Sequence, residues 1–132
     1  MLKISNKNYN DPIVKVFFGQ YCVVQSGTKR EGYSPFISFE YKEINIGIET
    51  TYDKNWLKEL DKNDKKDISK YISDITYEDE NGWTSLINDV YKCYITKIED
   101  NIFVIELNCD TEELIEPCSI ILNEKIEINF NE

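Results

Sequence analysis

The chain has 132 residues, of which 41% are hydrophobic and 30% are charged, and its formal net charge is −10 at pH 7. This size and hydrophobic content predict one domain, residues 1–132, with a core of its own. The negative charge disfavours direct binding to nucleic acid or to a membrane surface, because phosphate and anionic lipid recruit proteins through Lys and Arg. The sequence shows neither an apolar run long enough to cross a bilayer nor the apolar block of a signal peptide, so we expect a cytoplasmic protein.

The first part of the chain has the side chains of β-strands. Residues 13–24 are rich in β-branched and aromatic residues, which predicts a strand that is kinked or bulged at Gly19. Residues 26–35 contain two Gly and one Pro and are predicted to form a turn or a mobile loop. Apolar residues then alternate with polar ones over residues 37–48, but the parity changes between positions 41 and 44. The change predicts two strands or one bulged strand, because a shift by one residue reverses the two faces of a strand.

The spacing of the apolar residues changes in the middle of the chain. From residue 53 to residue 75 they recur every three or four positions, which predicts a helix with one buried face. Asp53 is a candidate N-cap, and Trp56 belongs to the predicted core. A polar stretch at residues 61–67 interrupts the apolar face, so we expect a helical hairpin or a kinked helix with Asp64 as the second N-cap.

The last third of the chain returns to strand patterns. Residues 76–88 look irregular, residues 90–107 have the alternation and central turn of a β-hairpin, and residues 118–130 are predicted to form a second hairpin. Residues 110–117 are predicted to form an acidic loop or a single helical turn. The order of strands, helix and strands predicts an α+β fold, with a mostly antiparallel sheet of about five to seven strands covered on one face by the helical segment 53–75.

The cysteines and the absence of histidine restrict the chemistry. Cys22 and Cys93 lie in strand-like sequences and are predicted to be small buried hydrophobes. The four cysteines lack the close pairs of a zinc site, so we expect no metal. Without histidine the chain has no Ser–His or Cys–His nucleophile pair, and its five glycines match no phosphate-binding loop. We therefore expect no cofactor and no catalytic residues.

Two features of the acidic stretch at residues 78–82 have alternative interpretations. If Gly82 is aligned with the glycine of a calcium-binding loop, Tyr77 and Asn88 occupy its first and last ligand positions, so the match fails. Trp83 directly follows this stretch, as an interface anchor would, but its apolar neighbours favour burial in the core.

Acidity is concentrated in the second half of the chain. Residues 1–70 carry a net charge of +2, whereas residues 71–132 carry −12. A surface of one sign points to a partner of the opposite sign, because complementary charge guides association. The predicted partner-binding residues are Glu78, Asp79, Glu80, Trp83, Glu99, Asp100, Asp110, Glu112, Glu113 and Glu116.

These observations favour a non-catalytic protein that binds and blocks a basic protein, such as a toxin, a nuclease or a nucleic-acid-binding effector. The analogy is with immunity proteins and phage-encoded inhibitors, and it is based on size and charge alone. One alternative is a structural or oligomer-forming domain whose acidic surface provides solubility. Another is a small enzyme that uses carboxylates, which would need a concave pocket with converging polar groups.

Overall fold

The computed structural model describes residues 1–87, 89–112, 114 and 118–131. The strands are β1 (Leu2–Ile4), β2 (Lys7–Tyr9), β3 (Ile13–Gln25), β4 (Thr28–Glu40), β5 (Asn45–Thr50), β6 (Lys65–Asp67), β7 (Ile72–Asp79), β8 (Gly82–Ser85), β9 (Val90–Glu99), β10 (Ile102–Thr111) and β11 (Cys118–Glu127). Within these residues there is one α-helix, α1 (Lys54–Glu59), and one 3-10 helix, Ser69–Tyr71. Neither has the length and apolar character needed to span a bilayer.

The strands form two antiparallel sheets that share a hydrophobic core. Sheet 1 has the order β2-β1-β11-β10-β9-β6, and sheet 2 has the order β3-β4-β5-β7-β8. Alternate residues of β10 in sheet 1 and both isoleucines of β5 in sheet 2 are buried, and both strands contribute to the same cluster of buried side chains. Tyr41 also donates a hydrogen bond to Glu124 of β11 over 3.1 Å, which joins the end of β4 to sheet 1.

The prediction of an α+β fold is wrong. The described chain is mostly antiparallel β-structure in two sheets, and the segment 53–75 contains α1, the short strand β6 and the 3-10 helix before it enters β7. Asp53 caps α1 as predicted, but Asp64 begins no helix and instead accepts a hydrogen bond from the Asp61 amide in the turn before β6. Trp56 is half-buried and packs against the core.

A bulge explains the misleading helical spacing. Glu49 of β5 pairs with Asp74 of β7, but the next residue, Thr50, pairs with Ile72, so Ser73 has no partner in the ladder. The extra residue lets Ile72 and Ile75, which are three positions apart, both point into the core. Three-residue spacing at a bulge resembles the spacing of a helix, and this misled the prediction.

Two of the strand predictions are confirmed. Residues 90–107 belong to the antiparallel pair β9 and β10. The parity change after β4 marks a tight turn, in which the Tyr41 amide donates to the Ile44 carbonyl over 2.8 Å before β5 begins. The second hairpin predicted for residues 118–130 is wrong, because β11 runs through Asn123 and Glu124 without turning and pairs with β10 on one side and β1 on the other.

Most of residues 26–35, predicted to form a turn or a mobile loop, and most of residues 76–88, predicted to be irregular, belong to two hairpins, although the first segment does begin with a turn. β3 and β4 pair along their whole length through a two-residue turn at Ser26 and Gly27, whose φ angles of 52° and 79° are those of a twisted hairpin turn. Gly19 causes no bulge, since the register passes through it unchanged. Residues 72–85 form the hairpin β7–β8. In both cases the polar residues and glycines of the segment masked the alternation that indicates paired strands.

Candidate functional site

The β7–β8 hairpin brings together the first four residues of the predicted partner-binding set. Glu78 pairs with Trp83 across the two strands, and Asp79 pairs with Gly82. Glu80 and Asn81 form the turn, which is held by the Asn81 amide donating to Asp79 Oδ1 over 2.8 Å. Because β8 is an edge strand of sheet 2, the hairpin projects these side chains from the border of the molecule.

Trp83 is exposed, so the prediction that it lies in the core is wrong. Its exposed fraction is 63%, and it borders a groove with a volume of about 480 Å³, which we call the Trp83 groove. Apolar atoms of the groove come from both sheets and from a connecting segment, and Asp79 and Asn81 supply polar atoms. The residues that line it are Ile4, Ser5, Tyr77, Asp79, Asn81, Gly82, Trp83, Thr84, Leu114 and Cys118.

Two titratable groups of the groove are kept protonated at neutral pH. Burial raises the pKa of Tyr77, and a hydrogen bond to the nearby Asp79 carboxylate raises it further. Burial also raises the pKa of the Cys118 thiol, with a smaller effect from Asp89. A thiol held in this form is a poor nucleophile, because the thiolate is the reactive species. The groove therefore offers an apolar surface and a hydrogen-bonded hydroxyl rather than an activated thiol.

A second depression adjoins the groove at Asp79. It has a volume of about 310 Å³ and is lined by Tyr41, Glu43, Asn45, Glu78, Asp79 and Glu80. Asn45 Nδ2 donates to Glu78 Oε1 over 3.0 Å, which orients that carboxylate. We call the Trp83 groove and this depression together the acidic end. Four carboxylates line it. Those of Glu43, Glu78 and Glu80 belong to exposed residues, and Asp79 is half-buried.

The carboxylates of the β7–β8 hairpin remain available to a partner. The ion pairs found among the described residues include Lys65 with Glu106 and Lys97 with Asp100, and none of them involves Glu78, Asp79 or Glu80. Neighbouring negative charges make the local electrostatic potential more negative and attract cations, whereas ion pairing would cancel this potential.

The remaining predicted residues are divided between two ends of sheet 1. Glu99 and Asp100 lie at the turn between β9 and β10, whereas Asp110 lies at the far end of β10 and opposite Ser119 of β11. At about 3.4 Å per residue this separates them by roughly 30 Å. Asp110 is thus at the same end of sheet 1 as Cys118 of the groove. The Glu112 amide donates to Asp89 Oδ1 over 3.4 Å, while Glu113 and Glu116 lie outside the described residues.

Two of the other cysteines are buried and one is exposed. Cys93 and Cys109 are buried, as predicted for Cys93, and burial raises the pKa of each thiol to about 12. The prediction that Cys22 is buried is wrong, because its side chain is exposed. In the described part of the chain, no three His, Cys, Asp or Glu side chains are grouped so that they could hold a metal ion.

Comparisons of the chain with protein-family models, with curated proteins and with solved structures found no match. The acidic end is therefore the feature of this molecule that bears on its function. The sequence identified three of its four carboxylates from charge alone. It missed Tyr41, Glu43 and Asn45, which are distant in sequence and meet the hairpin only through the pairing of β5 with β7, and it also missed Tyr77, which precedes Glu78 directly.

Proposed function

We propose that this is a non-catalytic binding protein whose acidic end captures a basic segment of a partner protein. The observation that carries the proposal is the exposed indole of Trp83 directly beside carboxylates that form no ion pair within the described residues. Large exposed aromatic side chains are costly to hydrate and are typical anchors of protein interfaces.

The chemistry of the acidic end suits arginine or lysine side chains. Their aliphatic stems fit the apolar groove beside Trp83, and their charged groups reach Glu78, Asp79 or Glu80. A cation over an indole contributes about 0.5–2 kcal/mol, and an exposed ion pair contributes up to about 1 kcal/mol. Several basic residues must therefore bind together, and a folded basic surface or an extended basic segment supplies them.

Blocking follows from such binding when the partner uses the same basic residues for another purpose. A toxin, nuclease or nucleic-acid-binding effector contacts phosphate through Lys and Arg, and an acidic protein seated on these residues excludes the nucleic acid. Acidic surfaces also accelerate association with basic ones, which is an advantage for a protein that must neutralise its target quickly. This is the role we propose for the chain.

The test compares two charge reversals of equal size at opposite ends of the molecule. Glu78→Lys with Glu80→Lys changes the acidic end, and Glu99→Lys with Asp100→Lys changes the distant turn by the same net charge. All four side chains are exposed, so both variants should fold. The probes are short peptides in which several arginines flank one leucine, and the measurement is their binding by stopped-flow fluorescence and calorimetry.

We expect the first variant to slow association with the basic peptides by about tenfold and the second to change it little, because close charges dominate steering. Trp83→Ala should weaken binding mainly through faster dissociation. Equal slowing by the two charge reversals would mean that only net charge matters, and the proposed site would then be wrong. The proposed site would also be wrong if the wild-type protein failed to bind the basic peptides.

A further inference from the structure

The free edge of sheet 2 at β3 is unlike the other sheet edges of the molecule. β3 is the outermost strand of sheet 2 and, within the described residues, pairs only with β4. It has thirteen residues, and its register with β4 contains no bulge. A long and regular edge strand presents a row of unpaired backbone groups to any strand that approaches it.

The other three edge strands are short. β2 and β6 have three residues each, β8 has four, and all three residues of β6 are charged. Short and charged edges are devices that prevent unwanted strand pairing. β3 has none of these protections apart from Lys15, and that side chain is paired with Glu40 at 3.0 Å. β3 contains no proline and no acidic residue.

The pairing with β4 shows which backbone groups of β3 point outward. Phe18 lies opposite Pro35, which has no N–H and whose carbonyl accepts from Thr50 on the β5 side over 3.0 Å. Phe18 and Pro35 therefore form a pair without mutual hydrogen bonds, and such pairs alternate with bonded pairs along an antiparallel ladder. The residues whose N–H and C=O groups point away from β4 are accordingly Val14, Val16, Phe18, Gln20, Cys22 and Val24.

Exposed apolar side chains accompany this open edge. Ile13, Phe17 and Val24 are 62%, 56% and 70% exposed, and all three belong to β3. They are the kind of surface that strand pairing covers, because side chains of adjacent strands pack against one another on each face.

The geometry points to a second copy of this chain as the occupant of the edge, with the two β3 strands antiparallel about a two-fold axis at Gly19. In this register each outward-pointing residue meets another one, for example Phe18 with Gln20 and Val16 with Cys22 of the second copy. Lys15 lies opposite Val23, so the two lysines do not face each other. Sheet 2 then continues from one copy into the other.

Charge favours a copy of the same chain at this position. The β3–β4 hairpin, residues 13–40, has a net charge of +1, so the rest of the chain carries −11. Two copies that approach through β3 therefore avoid placing strongly negative segments against each other, which like-charge repulsion would disfavour. β3 and β8 are the opposite edges of sheet 2, so the acidic ends lie far from the shared edge. Such a dimer would display two acidic ends on its outer borders.

The first experiment measures mass in solution from low to high micromolar concentration by sedimentation and light scattering. We expect twice the 15.6 kDa mass of one chain. Gln20→Pro removes one outward N–H and leaves the bonds to β4 intact, so it should halve the mass. Gln20→Ala keeps the N–H and should remain dimeric. Circular dichroism and thermal unfolding verify that both variants are folded.

The second experiment tests the register by cross-linking. A side chain at Gly19 has free space, since nothing lies within 4 Å of a Cβ placed there. Across the two-fold axis the two Cα atoms would be about 4.5 Å apart, which permits a disulfide. Gly19→Cys in a Cys22→Ser background should therefore form covalent dimers with diamide. Wild-type protein is the control, because its exposed Cys22 lies opposite Val16 and should cross-link little.

A wild-type protein that is monomeric at every concentration would overturn the inference, since a strand from a different protein would then be the better occupant. A dimer that survives Gln20→Pro and does not cross-link through Gly19→Cys would also overturn it, because that dimer must use another surface. Neither result bears on the acidic end, whose test uses peptide binding.

Discussion

Arg30 is enclosed by three aromatic side chains. Its guanidinium carbon lies 4.8 Å from the ring centroid of Tyr21, 5.0 Å from that of Trp56 and 5.4 Å from that of Tyr71. The same group donates to the Thr51 carbonyl over 2.7 Å. Because a flat cation can stack on rings and donate in its own plane, one side chain fixes the β3–β4 hairpin to the segment that follows β5.

We predict that Arg30→Ala lowers the free energy of unfolding by about 2 kcal/mol, since it removes both the cation–π contacts and a charged hydrogen bond. Arg30→Lys should recover only part of this, because an ammonium cannot stack and donate in the same geometry. The neighbouring Lys29, which is exposed, is the control, and Lys29→Ala should change stability by less than about 0.5 kcal/mol. Urea denaturation measures all three, and equal losses at both positions would contradict the prediction.

The exposure of Trp83 could not be predicted from the residues around it. The residues after it, from Thr84 to Ile87, are apolar enough to suggest burial, and Leu86 is indeed fully buried. The exposure of Trp83 follows from its place on an edge strand opposite Glu78. Which face of a strand is covered depends on the other sheet, and local composition does not contain that information.

At the scale of elements, α1 is stable only because its neighbours hold it. A helix of six residues forms too few internal hydrogen bonds to persist alone. Asp53 supplies two of its external contacts: Oδ1 accepts from the Asn55 amide over 2.8 Å, and Oδ2 accepts from the Tyr21 hydroxyl over 2.6 Å. The sequence predicted this cap correctly although it overestimated the length of the helix.

We predict that Asp53→Ala destabilises the protein by about 1–2 kcal/mol, because the α1 amide and the Tyr21 hydroxyl both lose their acceptor. Asp53→Asn retains an N-cap oxygen and should lose less than half of that amount. Thermal unfolding followed by circular dichroism gives the comparison. If the two variants are equally destabilised, the carboxylate charge rather than the cap is responsible.

The strands were predictable where apolar and polar residues alternate without interruption, and they were missed where a bulge, a glycine or a proline interrupts this alternation. β9 and β10 have long alternating runs joined by a short turn, so their hairpin followed from the sequence. The first half of β7, residues 72–75, was mistaken for helix because Ser73 bulges, and the first part of β4, residues 28–35, was mistaken for a loop because it contains Gly32 and Pro35. Pro35 is tolerated in β4 because its ring nitrogen faces β5 just beyond the end of the β4–β5 ladder, where the Thr50 carbonyl accepts from the Ser34 hydroxyl instead over 2.7 Å. Such compensation depends on the partner strand.

At the scale of the whole molecule, the division of charge along the sequence is only partly preserved in space. Glu99 and Asp100 lie beside a region that contains Lys58, Lys62 and Lys97, whereas Glu78, Asp79 and Glu80 gather with Glu43 from the first half of the chain. The acidic end is therefore made by folding as well as by composition. Net charge along a sequence predicts that a negative surface exists, but strand order decides its place.

The buried thiols make the whole fold sensitive to alkali. The pKa of Cys93 and that of Cys109 are raised from their ordinary value of 9.0 to about 12, chiefly by burial. Between these values the unfolded chain releases protons that the folded chain retains, so unfolding becomes more favourable as pH rises. Their contribution to stability is complete below about pH 9 and is lost towards pH 12.

We predict that the free energy of unfolding, measured by urea denaturation, falls above about pH 9 by up to about 1.4 kcal/mol per pH unit for each buried thiol. Buried tyrosines with raised pKa values, including Tyr41 and Tyr77, steepen the fall above about pH 10. Cys93→Ala should be less stable than wild type at pH 8, because it leaves a small cavity, but it should lose less stability between pH 8 and pH 10. If the free energies of unfolding of the two proteins fall in parallel as pH rises, Cys93 has the same pKa in the folded and unfolded states. The loss of stability at alkaline pH would then have to come from other groups.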